Sequence, residues 1–201
     1  MALLNFEWLK KGSQKDNEKP LLKIKNLRVR LGTRLVFEDL DLTIYRGDQI
    51  KVTGSNGAGK STLLNAIMGV DPIEHGEIAF NGLDITNHSI NERTKLGMSY
   101  TMQRKNVFPK LTVEENLQLA LGNKGYHLFE QSFPRWSKDI KPEVIVDTLS
   151  GGQKQKLAVG MTVCKESLLY LLDEPLAGMS SDAKEDFFNF KRSTVIFIEH
   201  K

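Results

Sequence analysis

A run of nine residues in the first third of the chain combines three glycines, a lysine and hydroxyl side chains at a spacing that could bind phosphate. It reads Gly-Ser-Asn-Gly-Ala-Gly-Lys-Ser-Thr and matches the pattern G-x-x-x-x-G-K-[ST]. Glycines let the backbone curl so that successive N–H groups converge on phosphate oxygens, and a following helix N-terminus adds partial positive charge. We expect the Lys60 ammonium to reach the β- and γ-phosphates and the Ser61 hydroxyl to ligate Mg²⁺. The run therefore predicts a nucleoside triphosphate site formed by Gly54, Ser55, Asn56, Gly57, Ala58, Gly59, Lys60, Ser61 and Thr62.

The residues on either side of this run support that interpretation. An apolar stretch ends at Val52, just before the run, and the helix-like residues Leu63 to Met68 follow it. Strand, glycine loop and helix in succession are the context in which the pattern indicates a phosphate site. The alternative is a glycine-rich turn with a chance lysine, and the agreement of both flanking segments disfavours it.

Two carboxylate residues follow the apolar stretch Leu168 to Leu172. The two residues that follow this stretch are Asp173 and Glu174. A strand that ends in a carboxylate is where a phosphate-loop NTPase holds Mg²⁺. We expect Asp173 to hold the metal and Glu174 to polarise the attacking water as general base. The alternative, a core strand with ordinary acidic residues at its exit, is disfavoured by the glycine loop in the same chain.

The third candidate is the segment Leu149-Ser-Gly-Gly-Gln153. Its physical features are those of an anion-binding turn at a helix N-terminus, with Ser150 as the cap and Gln153 closing a capping box. A glycine pair at a loop-to-helix junction is common, so the spacing alone favours an ordinary helix start.

Composition limits the classes of protein that the chain can form. With 201 residues, 40% hydrophobic and 26% charged, it suits a globular protein with one good core. A net charge of +3 is too small to indicate a nucleic-acid partner or an acidic membrane surface. No apolar run approaches the roughly 18 residues that a membrane span needs. Cys164 is the single cysteine, so the chain forms no intrachain disulfide and suits a reducing compartment.

Local patterns place these residues on an alternation of strands and helices. Residues 1–21 are predicted as a flexible lead-in, and residues 104–148 as a separate, mostly helical lobe. Predicted strands are Leu22 to Val29, Leu40 to Ile44, a hairpin of Glu77 to Phe80 with Leu83 to Ile85, Leu96 to Met102, Leu168 to Leu172 and Thr194 to Ile198. Predicted helices start at Leu63, at the capping box Thr112 to Glu115, at Ser150 and near Ala183.

The order of these motifs resembles the ATPase family of ABC transporters. Glycine loop, Gln103, Leu-Ser-Gly-Gly-Gln, Leu-Leu-Asp-Glu-Pro and Glu199-His200 follow one another as they do in that family. The resemblance implies an α/β fold that combines a phosphate-loop NTPase core, an antiparallel β subdomain and a helical lobe. It covers one ABC ATPase domain over residues 22–201, with the core in 22–103 and 149–201 and the lobe in 104–148.

The resemblance also implies how the site residues divide the work of ATP hydrolysis. Subunits of the family pair head to tail, so two ATPs lie between the glycine loop of one subunit and a Ser-Gly-Gly-Gln segment of the other. In this chain that segment is Ser150, Gly151, Gly152 and Gln153. Gln103 resembles the glutamine that senses Mg²⁺ and the γ-phosphate, and His200 the histidine that helps to place water. The implied catalytic residues are then Glu174, His200, Gln103 and Lys60, and the implied Mg²⁺ ligands are Ser61, Gln103 and Asp173.

Two short stretches resemble a narrower group, the ATPases of branched-chain amino-acid and urea importers. They are Val107 to Leu117 and Leu176 to Met179. This implies an ATP-hydrolysing subunit that powers transport of a small polar solute. It would sit on the inner face of the cell membrane, bound through its helical lobe to a permease, beside an identical or paralogous ATPase subunit. Two alternatives stay open: a soluble ABC ATPase of an assembly machine, such as one for iron–sulfur clusters, and a truncated module that binds nucleotide without turnover.

Three features depart from the family's pattern. Leu31 stands before Gly32, where the family places an aromatic residue that stacks on adenine, so we expect weaker base affinity. Ser180 stands where an aspartate is usual, and the segment from Asp173 to His200 is several residues short. The chain stops one residue after His200, so we expect a truncated C-terminal part and an exposed edge of the core.

Overall fold

The computed structural model describes residues 4–12, 19–102, 106–189 and 194–199. Their contacts divide the chain into two compact units. The described residues within Met1–Met98, Leu168–Asp173 and Ser193–Lys201 form the first, called the core unit here. Those within Ser99–Ser167 and Glu174–Arg192 form the second, called the helical unit. This division differs from the predicted one, because the segments around 150–167 and 174–189 group with the helical unit.

The described residues include nine strands and seven α-helices. The strands are β1 Asn5–Lys10, β2 Leu22–Leu31, β3 Arg34–Ile44, β4 Gln49–Thr53, β5 His75–Phe80, β6 Leu83–Asp84, β7 Met98–Thr101, β8 Leu169–Asp173 and β9 Thr194–Ile198. The helices are α1 Lys60–Met68, α2 Ile90–Lys95, α3 Val113–Leu121, α4 Gly125–Ser132, α5 Pro134–Asp139, α6 Gly151–Val163 and α7 Ser181–Asn189. The predicted strand Thr194–Ile198 and the predicted helix starts at Thr112 and Ser150 are confirmed.

The strands form two sheets. One has the order β1-β4-β9-β8-β7, and the other, β3-β2-β5-β6, is antiparallel, as the fold class predicts. Within the first sheet β4, β9 and β8 run parallel to one another. Every residue of β8 is buried, which explains why its sequence is a continuous apolar run rather than an alternation.

Two tight turns connect neighbouring strands of the antiparallel sheet. Gly32-Thr33 connects β2 to β3, and Asn81-Gly82 connects β5 to β6. Asn81 and Gly82 have φ angles of 51° and 83°, the left-handed pair that a two-residue hairpin turn requires. β2 and β3 extend beyond the predicted strands, because their pairing continues to the Leu31–Arg34 turn.

The flexible lead-in predicted for residues 1–21 is wrong for residues 5–10. β1 pairs antiparallel with β4, with Phe6 opposite Val52 and Trp8 opposite Ile50. Just beyond it, the Gly12 N–H donates to Asp48 Oδ1 at 2.7 Å. Phe6 and Trp8 alternate with polar residues, but the run is short and almost every β1 side chain is exposed. The strand is held by backbone pairing with residues about 45 positions away, which a local pattern does not indicate.

The helical unit is built around an aromatic cluster. Phe133 and Trp136 stack with ring centroids 4.1 Å apart, and Phe129 lies against both. These side chains come from α4, α5 and the residue between them, where the sequence predicts mainly loop within a helical lobe. Phe133 ends one helix and precedes the other, so the two short helices depend on this cluster more than on local propensity.

One buried guanidinium secures the C-terminal end of α1. Arg93, on α2, donates to the carbonyls of Ala66 and Ile67 at 2.9 and 2.7 Å. It also donates to Thr86 and His88 carbonyls at 2.9 and 3.0 Å. Carbonyls at a helix C-terminus lack partners within the helix and carry partial negative charge, so a cation suits this place. Burial lowers the pKa of the Arg93 guanidinium below its ordinary value.

We predict that Arg93→Met lowers the free energy of unfolding by about 3 kcal/mol, because buried carbonyls lose charge-assisted hydrogen bonds. Urea denaturation measures the change. Arg46→Met is the matched control: Arg46 is exposed, and among the described residues its guanidinium donates to one side chain, Asn81 Oδ1, at 2.9 Å. Equal effects of the two substitutions would show that Arg93 does not secure the helix.

Candidate phosphate-binding site

The glycine loop runs from the end of β4 into α1, as predicted, and it lies against β3. Gly59 is the N-cap of α1 and has φ 97°. A Cβ atom at Gly59 would lie 2.5 Å from Val36 Cγ1 and 2.9 Å from Phe37 Cζ. Two independent constraints, left-handed backbone and close approach, therefore require glycine at this position.

Lys60 places its positive charge inside the loop. Lys60 is 5% exposed, and its Nζ donates to the Gly54 and Ser55 carbonyls at 2.8 and 3.0 Å. Both acceptors are neutral, so the ammonium charge is available to an anion held by the loop. The phosphate contact of Lys60 stays a prediction.

The N-terminus of α1 presents its backbone donors without competition. Among the described residues no side chain caps this end, and the first turn contains no acidic residue. The first N–H groups of a helix have no partners within the helix, and the helix dipole favours negative charge beside them. Ser61, in this first turn, is exposed. The arrangement suits a phosphate group close to the Ser61 hydroxyl.

Asp173 lies at the same edge of the sheet as the loop. It is the last residue of β8 and is 2% exposed. Because β4, β9 and β8 run parallel, the ends from which the loop and Asp173 emerge face the same way. α1 also packs against β8. The carboxylate predicted to hold the metal is therefore part of the core unit, together with the loop.

The oxygen donors of this edge fit Mg²⁺. This ion prefers oxygen ligands, keeps several waters and takes one or two protein carboxylates with substrate phosphates. The Ser61 hydroxyl and the Asp173 carboxylate supply such donors. Within the described ranges no group of three His, Cys, Asp or Glu side chains forms a ready-made cage. The Ser61 and Asp173 oxygens suit an ion that also binds substrate phosphates.

Glu174 follows Asp173 in the chain and has unusual backbone geometry. Its φ is 51°, a left-handed conformation that costs a non-glycine residue about 1–2 kcal/mol. Its carbonyl accepts hydrogen bonds from Gln155 Nε2 at 2.9 Å and from the Ala177 N–H at 3.2 Å. The residue predicted as general base is therefore held in a defined conformation within the helical unit.

The Ser150 to Gln153 segment forms the predicted capping box. Ser150 Oγ accepts from the Gln153 N–H at 3.2 Å, and Gln153 Oε1 accepts from the Ser150 N–H at 2.9 Å. The two glycines differ in their surroundings. A Cβ at Gly152 would lie 2.7 Å from the Gly178 carbonyl oxygen, whereas a Cβ at Gly151 would meet nothing within 4 Å among the described residues. Packing explains Gly152, but it does not explain Gly151.

Two predicted site residues, Gln103 and His200, lie outside the described residues, and their roles stay predictions. The residue before His200 is described: Glu199 forms an ion pair with Lys51 at 2.7 Å. This contact ties the chain after β9 to β4, the strand that precedes the glycine loop.

The hairpin between β2 and β3 carries no aromatic side chain that could stack on a base. Leu31 is 39% exposed, and Phe37 is buried, with its ring against Gly59. Arg34 is the site residue that sequence reasoning missed: its guanidinium donates to the Gly57 carbonyl, within the loop. Nothing in the local sequence signals this contact, because it joins segments 23 residues apart.

The chain combines a strand, a glycine loop that contains a buried lysine, a helix N-terminus and a carboxylate at the end of a parallel strand two places along the same sheet. These features define a phosphate-loop nucleotide-binding protein. The family profile described as ABC transporter matches residues 37–177. The chain therefore belongs to the ABC transporter family.

Similar proteins agree with this assignment. A probable branched-chain amino acid transport ATP-binding protein, LivF of Archaeoglobus fulgidus, is 36% identical over 75% of this chain and 66% of its own length. A ribose import ATP-binding protein, RbsA of Streptococcus agalactiae, is 29% identical over 89% of this chain and 39% of its own length. The chain thus spans between about two fifths and two thirds of these curated relatives.

Solved structures show the same fold. A nucleotide-free ATP-binding cassette from an ABC transporter is 25% identical and superposes with a TM-score of 0.76 over 91% of this chain and 82% of its own. A dimeric cassette in a post-hydrolysis state, bound to ADP and Pi, is 22% identical with a TM-score of 0.77 over 90% and 88%. The second likeness concerns the fold alone.

We predict that Gly59→Ala abolishes detectable nucleotide binding, because the new methyl group meets Val36 and Phe37 and forces the loop open. Fluorescent ATP-analogue titration measures the affinity. Gly82→Ala is the matched control, since Gly82 is also left-handed, with φ 83°, but has open space around it among the described residues. We expect this control to lose about 1 kcal/mol of stability and no affinity. Normal binding by Gly59→Ala would contradict the observed loop packing.

Proposed function

We propose that this chain is the ATP-binding and ATP-hydrolysing subunit of a transporter that moves a small polar solute, with an amino acid or urea favoured. The observation that carries the proposal is the core-unit site, where the buried Lys60 bonds the glycine loop and the buried Asp173 ends strand β8 at the same edge of the sheet. Membership of the ABC transporter family and the likeness to LivF support the transport role. The likeness to RbsA, a ribose import protein, leaves the solute broader than amino acids.

ATP binding uses groups that the core unit already holds in place. Loop N–H groups and the N-terminus of α1 would surround the β- and γ-phosphates, and the Lys60 ammonium would neutralise their charge. Arg34 lies beside the loop at Gly57. Since Leu31 offers no aromatic face, we expect affinity to depend on the triphosphate more than on the base.

Hydrolysis requires charge neutralisation and a proton acceptor. Ser61, Asp173 and Gln103 would hold Mg²⁺, which supplies positive charge to the phosphates when it is bound. Glu174 would accept a proton from the attacking water, and His200 would orient that water. Loop amides and Lys60 would stabilise the charge that develops on the γ-phosphate.

A second ATPase subunit would complete each site. In this proposal Ser150, Gly151, Gly152 and Gln153 of one subunit cover the ATP of the other. Gly151 supports it, because it is exposed and no described neighbour explains the missing side chain. Backbone N–H groups at the start of α6 would face the phosphates of that second nucleotide.

A membrane permease would bind the helical unit. Phe108 and Leu119 are 55% and 63% exposed, and Ile145 is also exposed. Asn116 is fully buried and bonds both the N–H and the carbonyl of Phe108, at 2.7 and 3.0 Å, so the exposed ring sits on a fixed backbone. Exposed apolar side chains suit a partner helix. The chain would then lie on the inner face of the membrane. In the part of the chain that the structure describes, no helix is long and apolar enough to cross a bilayer.

A second candidate is a module that binds ATP without turning it over. The exposed Leu31 and the serine at position 180 favour it, since both depart from the pattern of active family members. The two candidates differ in what they predict for substitution of Glu174. The proposed ATPase loses turnover, whereas a module without turnover has none to lose.

We predict that purified chain hydrolyses ATP with Mg²⁺, and that Glu174→Gln lowers the turnover rate at least about 100-fold, because the general base is lost. Phosphate release measures turnover, and size-exclusion chromatography in ATP measures assembly. We expect ATP affinity to be retained and an ATP-bound dimer to accumulate. Glu166→Gln, at an exposed position of the helical unit, is the control that should leave turnover unchanged. ATP binding without turnover in the unmodified chain would favour the second candidate.

We predict that Leu119→Arg reduces co-sedimentation with membranes of the source cells several-fold, because a charge replaces an apolar contact with the permease. ATP affinity should stay unchanged. Ile90→Arg is the control: Ile90 is 43% exposed, but it lies in the core unit. If both substitutions reduce co-sedimentation equally, the permease does not dock on the helical unit through Leu119.

A further inference from the structure

The helix that begins at Gly151 holds the segment that follows Asp173. Gln155, half-buried on α6, donates from Nε2 to the Glu174 carbonyl at 2.9 Å. Three residues earlier on the same helix, Gly152 packs so closely on the Gly178 carbonyl that a Cβ would lie 2.7 Å from its oxygen. Both ends of the segment from Glu174 to Gly178 are therefore fixed by one helix of the helical unit.

Glu174 is the point in this segment where the backbone most needs support. Its left-handed φ of 51° is unfavourable for a residue with a Cβ and persists only where the surroundings hold it. The Ala177 N–H closes a turn onto the Glu174 carbonyl at 3.2 Å, and Leu176 and Met179 are buried. Gln155 adds a side-chain hydrogen bond to the same carbonyl.

The backbone conformation of Glu174 determines where its carboxylate points. With β8 fixed, the φ angle of Glu174 sets the direction of its Cα–Cβ bond. Loss of the hydrogen bonds to the Glu174 carbonyl would let the backbone relax from its unfavourable φ of 51°, and the side chain would then leave its place. An error of about 1 Å in the place of a catalytic group lowers rates by about 100-fold. A contact that fixes this peptide therefore acts on catalysis without touching ATP.

We propose that Gln155 is a positioning residue for ATP hydrolysis. It fixes the Glu174 peptide and thereby aims the carboxylate that accepts the proton. Gln155 stands two residues after Gln153, in the first turns of α6, so one helix start would carry both the contact with the partner's ATP and the contact with Glu174. A shift of this helix start when the partner's ATP is bound would move the Gln155 amide and with it Glu174. This inference rests on the proposed function for Glu174 as base.

The test compares two substitutions of Gln155 that differ in donor capacity. Gln155→Glu keeps the shape but replaces the donor with a carboxylate, whereas Gln155→Lys keeps an N–H donor of similar reach. We expect Gln155→Glu to lower kcat about 10–100-fold, with the Kd for ATP within about twofold of the unmodified chain. Gln155→Lys should restore kcat to within about threefold. Gln131→Glu, exposed on α4, is the matched control and should change nothing.

Amide hydrogen exchange of residues 174–180 gives a readout that does not depend on turnover. We expect Gln155→Glu to speed exchange of the Ala177 amide at least about tenfold, because the turn loses its anchor. Unchanged kcat in a chain that hydrolyses ATP would overturn the proposal, as would unchanged exchange. Equal losses of kcat, affinity and thermal stability in both Gln155 variants would also overturn it, since these indicate a structural role. If the unmodified chain shows no turnover, the proposed function fails, and exchange alone decides whether Gln155 fixes the Glu174 peptide.

Discussion

The close approach of the Gly59 backbone to Val36 and Phe37 is the constraint on which the nucleotide site depends. It joins the antiparallel sheet, which supplies β3, to the glycine loop that follows β4. The loop packs on β3, α1 begins at Lys60, and the Lys60 ammonium donates hydrogen bonds to the Gly54 and Ser55 carbonyls. The two sheets of the core unit therefore share one function: β4 delivers the loop, and β3 supports its far end.

The C-terminal end of α1 is also fixed, by hydrogen bonds from a buried side chain. Arg93 bonds the last carbonyls of the helix, so the dipole is compensated at the C-terminus while the N-terminus is left open to anions. Phosphate binding at a helix start needs a helix that cannot slide along its axis. The buried guanidinium provides this restraint at the cost of burying a charge, which its carbonyl partners offset.

Local chemistry made part of this molecule predictable from its sequence. The glycine loop, the capping boxes at Thr112 and Ser150 and the Asn81-Gly82 hairpin are specified by neighbouring residues, and the structure confirms them as local structure. Strand β1, the Arg34 contact and the Gln155–Glu174 hydrogen bond join segments distant in sequence, so no local pattern indicates them. Gln103 and His200 were predicted from motif order, and their roles remain predictions.

Strand β1 has a consequence for how the protein behaves in solution. β4 lies between β1 and β9, so the strand that carries the phosphate loop is interior to the sheet rather than at its edge. An unpaired β4 would offer a row of free N–H and C=O groups beside apolar residues, which is a template for aggregation. β1 moves that hazard onto a strand whose side chains include Glu7 and Lys10, charged residues of the kind that discourage edge-to-edge pairing. Residues 5–10 thus protect the strand that leads into the glycine loop from edge-to-edge pairing.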